Sequence, residues 1–201
     1  VEVKDLGAIS KYLGMRVTRQ GNTFKLDQED YINQLAERFN ISTTSKETLP
    51  LPSGLKPLYL ANERNETTNK PVRELIGSLM YLTNTRPDIQ SSVSLISRFM
   101  QTPTEELWNA SINVLRYLIR TKEKALHLNG INVDLIKCYT DSDYANEQGR
   151  KSQSGYVIKL GSSPVMWHSR KQTTVALSTT EAEIAAMTAG VTNAKWLLTT
   201  T

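Results

Sequence analysis

Two short acidic clusters are the residues of this chain best suited to chemistry. Tyr139-Thr140-Asp141-Ser142-Asp143 closes a run of strand-forming residues, and Glu181-Ala182-Glu183 follows Ser178-Thr179-Thr180 in what reads as the first turn of a helix. Acids at a strand end and at a helix start can converge on one cleft. Hard divalent cations such as magnesium take carboxylate oxygens as ligands and keep several waters, so phosphodiester cleavage is the chemistry such convergence would serve. A structural reading stands beside it: acids favour helix N-termini because of the helix dipole, and loop-edge aspartates cap turns. Spacing alone leaves both readings open.

The elements that must position these acids follow from periodicity. Beyond His127 the pattern predicts strands at 135–141, 155–160 and 165–169 in an antiparallel meander, then a helix opened by Ser178-Thr179-Thr180 and carried by Ile184, Met187, Val191, Ala194 and Leu198. Upstream, 12–17 and 23–26 read as strands joined by Gln20-Gly21-Asn22. Asp27 is then placed to cap a helix bearing Tyr31, Ile32, Leu35 and Phe39 and ending near Asn40.

Pro50, Pro52, Gly54 and Pro57 mark a connector over 42–70. Helical spacing resumes at Val72, Leu75, Ile76, Leu79, Met80 and Leu82 and stops before Pro87; a further helix is expected from Ile89 to about Met100. Thr102 is expected to cap the next helix, with Pro103 in its first turn, and Leu107, Trp108, Ile112, Leu115, Leu118 and Ile119 as its apolar face. The fold expected is α+β: an N-terminal hairpin (1–41), a linker (42–70), a helical region (71–130), and three antiparallel strands followed by a helix (131–201).

The 201 residues are 39% apolar, enough to bury a core, and carry 24 basic against 20 acidic side chains. The excess is 17 against 14 up to residue 130 and 7 against 6 thereafter, so no basic tail stands out as a polyanion-binding arm. A single cysteine, Cys138, excludes an intrachain disulfide and a Cys-rich zinc site, and fits the cytosol or nucleus. No run of about 18 apolar residues suggests membrane insertion. The chain starts without methionine and stops within a helical pattern, so both ends read as cut.

Several stretches, in consecutive order over nearly the whole chain, resemble copia-type retrotransposon Pol polyproteins. Val3-Lys4-Asp5-Leu6-Gly7 with Lys11-Tyr12-Leu13-Gly14-Met15 is similar to that family's "MKDLG…YFLGI", and Leu26-Asp27-Gln28-Glu29-Asp30-Tyr31-Ile32 to its "LSQ.KYI". The run Arg73 to Leu82, with Thr85-Arg86-Pro87-Asp88-Ile89, resembles "YR.LIGSLMYL…TRPDI", and Leu115-Arg116-Tyr117-Leu118 matches "LRYL". The likeness continues through Asp141 to Ala145, Arg150 to Tyr156, Trp167 to Gln172 and Ser178 to Glu183.

The resemblance implies the end of a reverse transcriptase palm, a thumb and a connecting region up to about residue 125, then the beginning of a ribonuclease H domain, with neither part whole. The polymerase's paired aspartates, in "YVDD", would lie upstream of residue 1. It assigns the first magnesium-binding and catalytic acid to Asp141 and the helix acid to Glu183, with Glu181 as the fallback. The family's next acid, in a later "DN", has no counterpart, because no Asp or Glu follows Glu183. Negligible nuclease activity is therefore expected of the chain itself. In a complete parent the implied partners are a primer-template duplex or RNA/DNA hybrid and the rest of the polyprotein, in a cytoplasmic virus-like particle or the nucleus. The upstream part would touch phosphates through Lys11 and Arg16 and by close backbone approach at Gly14.

Plainer expectations cover the remaining residues. Trp108 and Trp167 read as core, His168 as a strand-edge residue, and Cys138 as a small buried side chain; His127 has no partner at zinc-ligand spacing. Arg150-Lys151 and Arg170-Lys171 default to solvent. The competing function is a domesticated or remnant module that binds nucleic acid or protein without catalysis.

Overall fold

In a computed structural model of the chain the described residues are 7–42, 48–52, 67–130, 135–145 and 149–200. The motif residues Val3 to Leu6 and most of the expected connector lie outside them. The observed organisation is mixed α+β, as expected. A four-stranded antiparallel sheet runs in the order β1 (Lys11–Tyr12), β2 (Met15–Gln20), β3 (Thr23–Asp27) and β4 (Leu126–Asn129). A three-stranded antiparallel sheet is formed by β5 (Ile136–Asp143), β6 (Gln153–Leu160) and β7 (Ser163–Lys171). The helices are α1 (Glu29–Arg38), α2 (Val72–Leu82), α3 (Gln90–Ser97), α4 (Glu105–Arg120) and α5 (Thr179–Thr200).

The first sheet corrects three expectations. The strand expected over 12–17 is broken by a two-residue turn: Leu13 and Gly14 have φ of 47° and 84°, and Tyr12 pairs with Met15. Two consecutive positive φ values suit a tight hairpin because their twist matches the strands. Asp27 is not the N-cap residue of α1, which is Gln28 with no side-chain cap, although its Oδ1 accepts from the Glu29 N–H at 3.4 Å; it ends β3, almost fully buried, and binds Arg16 with an Nη2–Oδ1 distance of 2.8 Å. Strand β4 was not expected. It pairs Leu126 with Leu26 and Asn129 with Thr23, returning the chain after α4 to the edge of the first hairpins.

The helices α1 to α4 share one core. Ile32 and Leu35 from α1, Leu75, Ile76 and Leu79 from α2, Ile96 from α3, and Leu107, Leu115 and Leu118 from α4 are essentially inaccessible to water. Each such side chain contributes roughly 1.5–3 kcal/mol of burial free energy. Helix α4 begins one turn fragment later than expected. Thr104, rather than Thr102, is the N-cap, its Oγ1 accepting from the Leu107 N–H at 3.1 Å, and Pro103 precedes the cap.

Arg86 fastens the ends of three helices. Its guanidinium, 2% exposed as a residue, donates through Nε and Nη2 to the two oxygens of Asp88 (2.9 and 2.7 Å) and through Nη1 to the Thr121 carbonyl (2.9 Å). Nη2 also reaches Thr121 Oγ1, and the Tyr117 hydroxyl donates to Asp88 Oδ2 at 2.7 Å. Arg86 follows α2, Asp88 lies in the 3-10 turn Pro87–Ile89 that leads into α3, and Thr121 closes α4. The Thr-Arg-Pro-Asp-Ile stretch is thus a helix junction built on a bidentate ion pair.

Burial by itself would raise the Asp88 carboxyl, but the hydrogen bonds and charge of Arg86, with Tyr117, outweigh it and hold the group below its ordinary 3.8. A carboxyl depressed by folding stabilises the protein above its unfolded pKa, and that contribution is lost as pH falls through the lower folded value. Arg86→Ala is expected to cost about 3 kcal/mol in urea unfolding at pH 7, the scale of breaking a buried pair. Asp88→Asn is expected to flatten the loss of stability below pH 4, read from the same melts at stepped pH.

Candidate functional site

Strand alternation sorts the residues of β5 onto the two faces of its sheet. Cys138, Thr140 and Ser142 face α5, whereas Tyr139, Asp141 and Asp143 share the other face with their cross-strand partners Val157, Gly155 and Gln153. That second face looks toward the start of α3. A cleft of about 380 Å³ lies between them, lined by Pro87, Gln90, Tyr139, Asp141, Asp143 and Trp167 among others. Trp167 also ties the two parts together, its Nε1 donating to the Thr83 carbonyl at 3.0 Å, and Arg98 bonds to Gln153 across the same junction. A second tie joins the sheets, the Asn129 N–H donating to Ser163 Oγ at 2.6 Å.

Helix α5 approaches the sheet by its small residues, which corrects the expected apolar stripe. Ala182, Ala186 and Gly190 face the sheet, while Ile184, Met187 and Val191 are 57%, 54% and 54% exposed and Leu198 is exposed as well. A Cβ at Gly190 would come within 2.5 Å of Thr140 Cγ2 and 2.9 Å of Cys138 Sγ, so only glycine permits this closeness. Gln172 anchors the first turn of the helix, its Nε2 donating to Ser154 Oγ (2.8 Å) and to the Ala182 carbonyl (2.9 Å). Nothing in the sequence pattern marked Gln172 beyond its place in the Trp167 to Gln172 motif.

The three candidate acids have distinct surroundings. Glu181 is engaged in capping: its N–H donates to Ser178 Oγ at 3.1 Å and its Oε2 accepts from the Leu177 N–H at 2.6 Å, a variant of the capping box. Glu183 reaches the end of β5, where its Oε1 accepts from the Ser142 N–H at 3.3 Å. Asp141 is the next residue along, but its side chain belongs to the opposite face. The two acids therefore approach one strand end from the two sides of the sheet.

Magnesium demands near-octahedral oxygen coordination, usually through more than one carboxylate aimed into the same space. Among the described residues no three His, Cys, Asp or Glu side chains come together in a way that could hold a metal. Glu181 is committed to the helix cap and Glu183 to a strand-edge amide. The residues present do not make a magnesium site by themselves.

The expected phosphate contacts in the hairpin also have partners inside the fold. Gly14 is the point where the Tyr81 ring crosses the turn: the Tyr81 hydroxyl donates to the Leu13 carbonyl at 2.6 Å and would lie 2.5 Å from a Cβ at position 14. Arg16 is ringed by Asp27, Glu29 and Asp30 at 2.8, 3.0 and 3.8 Å, and the Asp27 hydrogen bond and charge, above all, raise its pKa further. Lys11 is exposed.

Of the plainer expectations, Trp108 and Trp167 are half-buried, and His168 is exposed on the edge strand β7. Desolvation of the imidazole, then the charge of Arg170, lowers the His168 pKa. Cys138 is exposed rather than buried, on the edge strand β5, although its Sγ lies against the Gly190 backbone. Desolvation still raises its thiol pKa, which disfavours the reactive thiolate. Among the described residues no helix is long and apolar enough to cross a membrane.

The fold is thus a helical bundle joined to two antiparallel sheets, with a largely apolar cleft between the bundle and the second sheet and carboxylates at one strand end. No family model and no solved structure matches the chain. Over 93% of its length it is 38% identical to the retrovirus-related Pol polyprotein from transposon TNT 1-94 of Nicotiana tabacum, covering 15% of that protein. Over 97% of its length it is 35% identical to the corresponding polyprotein from transposon RE1 of Arabidopsis thaliana, covering 13%. It is also 39% identical, over 64% of its length, to the secreted RxLR effector protein 161 of Plasmopara viticola, 92% of which it covers.

Over nearly its whole length the chain is homologous to one segment of transposon-encoded, retrovirus-related Pol polyproteins. It spans about one seventh of the two polyproteins compared.

The seam at Gly190 carries a prediction. Gly190→Ala is expected to cost about 1–3 kcal/mol, the usual scale for overpacking, by lifting α5 from β5. Hydrogen exchange at the Ser142 amide, which Glu183 protects, is expected to quicken more than exchange at Leu115 in the bundle.

Proposed function

We propose that the chain is the part of a copia-type Pol polyprotein where the end of a reverse transcriptase meets the start of a ribonuclease H domain. The observation that carries this reading is the order of elements at the strand end. An antiparallel three-strand meander ends its first strand in Asp141, and the helix that follows the third strand brings Glu183 to the adjacent Ser142 amide. The parent's activities would then be copying RNA into DNA and cutting the RNA strand of an RNA/DNA hybrid. The chain itself would not cut. Asp141 and Glu183 reach the strand end from opposite faces, Glu181 is held in a cap, and no further acid follows Glu183.

In this reading the chain's own contribution is positional. The Arg86 junction sets the start of α3 against the sheet, and the cleft it forms presents Asp141 and Asp143 beside Tyr139 and Trp167. Two proteins test it, both assayed with a labelled RNA/DNA hybrid in magnesium. The 201-residue chain is expected to give no cleavage. A polyprotein carrying the same segment is expected to cleave, and Asp141→Asn to slow it by about 100-fold or more, the scale on which removing one charge-stabilising group acts. Equal cleavage by the parent and its Asp141→Asn variant would remove the ribonuclease H assignment.

A further inference from the structure

On the face of the second sheet that carries Asp141, the register sets Lys137 directly across from Lys159. Like charges in this position destabilise an antiparallel pair. The same juxtaposition occurs in the first sheet, where Lys11 stands across from Arg16, but there Asp27, Glu29 and Asp30 surround the guanidinium. Lys137 and Lys159 form no such ion pair among the described residues. Lys159 instead places its Nζ 5.7 Å from the centre of the Tyr139 ring, which is 54% exposed and two residues along from Lys137. The two lysines and Tyr139 line a cleft of about 450 Å³, completed mainly by Asn129, Gly161 and Ser162. Two unneutralised ammonium groups, one steered by an aromatic face, thus border a polar hollow.

We propose that this cleft is an anion site that takes a phosphate of a nucleic-acid backbone. Lysine ammonium groups bind phosphate as compact point charges, and an anion between them removes the cross-strand repulsion. Tyr139 lines both this hollow and the cleft at the strand end, so the two lie side by side on one face of the sheet. Lys137 and Asp141 are four residues apart on one face, about 13 Å at the rise of a strand. A nucleic-acid strand anchored at the lysines therefore runs past Asp141 within a few nucleotides. Choosing nucleic acid among polyanions rests on the polyprotein reading above; the anion site itself rests on the register and the cleft.

The test uses the whole chain and fluorescence anisotropy with a labelled single-stranded oligonucleotide and a labelled RNA/DNA hybrid, titrated between 50 and about 200 mM salt, the range over which phosphate contacts respond. The Lys137→Gln/Lys159→Gln variant is expected to bind about tenfold more weakly, and its log–log salt slope to fall by about 0.7–0.9, as the loss of one neutralised phosphate requires. Lys25→Gln, on the other sheet, is expected to leave both unchanged. The double variant is expected to melt no lower than the parent chain, since a repulsive pair has been removed. Unlabelled oligonucleotide is expected to displace the probe at far lower phosphate concentration than inorganic phosphate or polyglutamate. Displacement by polyglutamate at equal charge would overturn the phosphate assignment. If the parent chain binds nucleic acid and the double variant binds it equally well, the lysine site is wrong while the polyprotein reading stands. If the parent chain binds neither probe, both fall.

Discussion

One buried cation fixes the helical wall of the strand-end cleft. Arg86 has left water almost completely, and a charge in that position costs several kcal/mol unless its donors are all matched. Here Asp88 accepts two hydrogen bonds, Thr121 at the end of α4 accepts two more, and the Tyr117 ring lies 5.6 Å from the guanidinium carbon. Three helix ends are thereby brought to one point. Because Pro87, Gln90 and Ser91 follow directly, the same junction decides where the wall of the strand-end cleft stands.

The second constraint is the thinness of the seam between α5 and the sheet. Alanine and glycine at 182, 186 and 190 let the helix backbone come close, which is why Glu183, on a short reach, can bond a backbone amide of β5. In consequence the larger side chains of α5 point away and remain exposed. Among the described residues β5 is an edge strand, and a carboxylate on one of its amides is also a means of discouraging strand addition there. Glu183 thus has a structural occupation whatever its role in a longer polyprotein.

Charge is distributed unevenly over the two sheets. In the hairpin sheet the cation at Arg16 is neutralised within the fold, and Gly14 serves the Tyr81 crossing, so these residues hold structure together. On the cleft face of the second sheet, Lys137 and Lys159 lie at one end and Asp141 and Asp143 at the other, with Tyr139 between. A surface with cations and carboxylates separated by about four strand residues suits a ligand that is anionic along its length and reactive at one place.

Much of this was present in the sequence because it is local. Period-two runs marked the three strands of the second sheet, and apolar spacing marked α1, α2 and α4, since those patterns follow from how side chains leave a strand or a helix. The order of motifs marked the polyprotein family. Other features depended on partners far along the chain. Strand β4 exists because it pairs with β3, about a hundred residues earlier, and Asp27, besides accepting from the first amide of α1, is held in an ion pair by Arg16 from the neighbouring strand. The apolar side of α5 and its buried side were exchanged, because hydrophobic spacing cannot weigh closeness of packing against side-chain bulk. Which face of β5 carries Asp141, and which is covered by the helix bearing Glu183, was likewise decided only when the sheet and helix met: alternation sets opposite faces, but only tertiary packing says which one the helix covers.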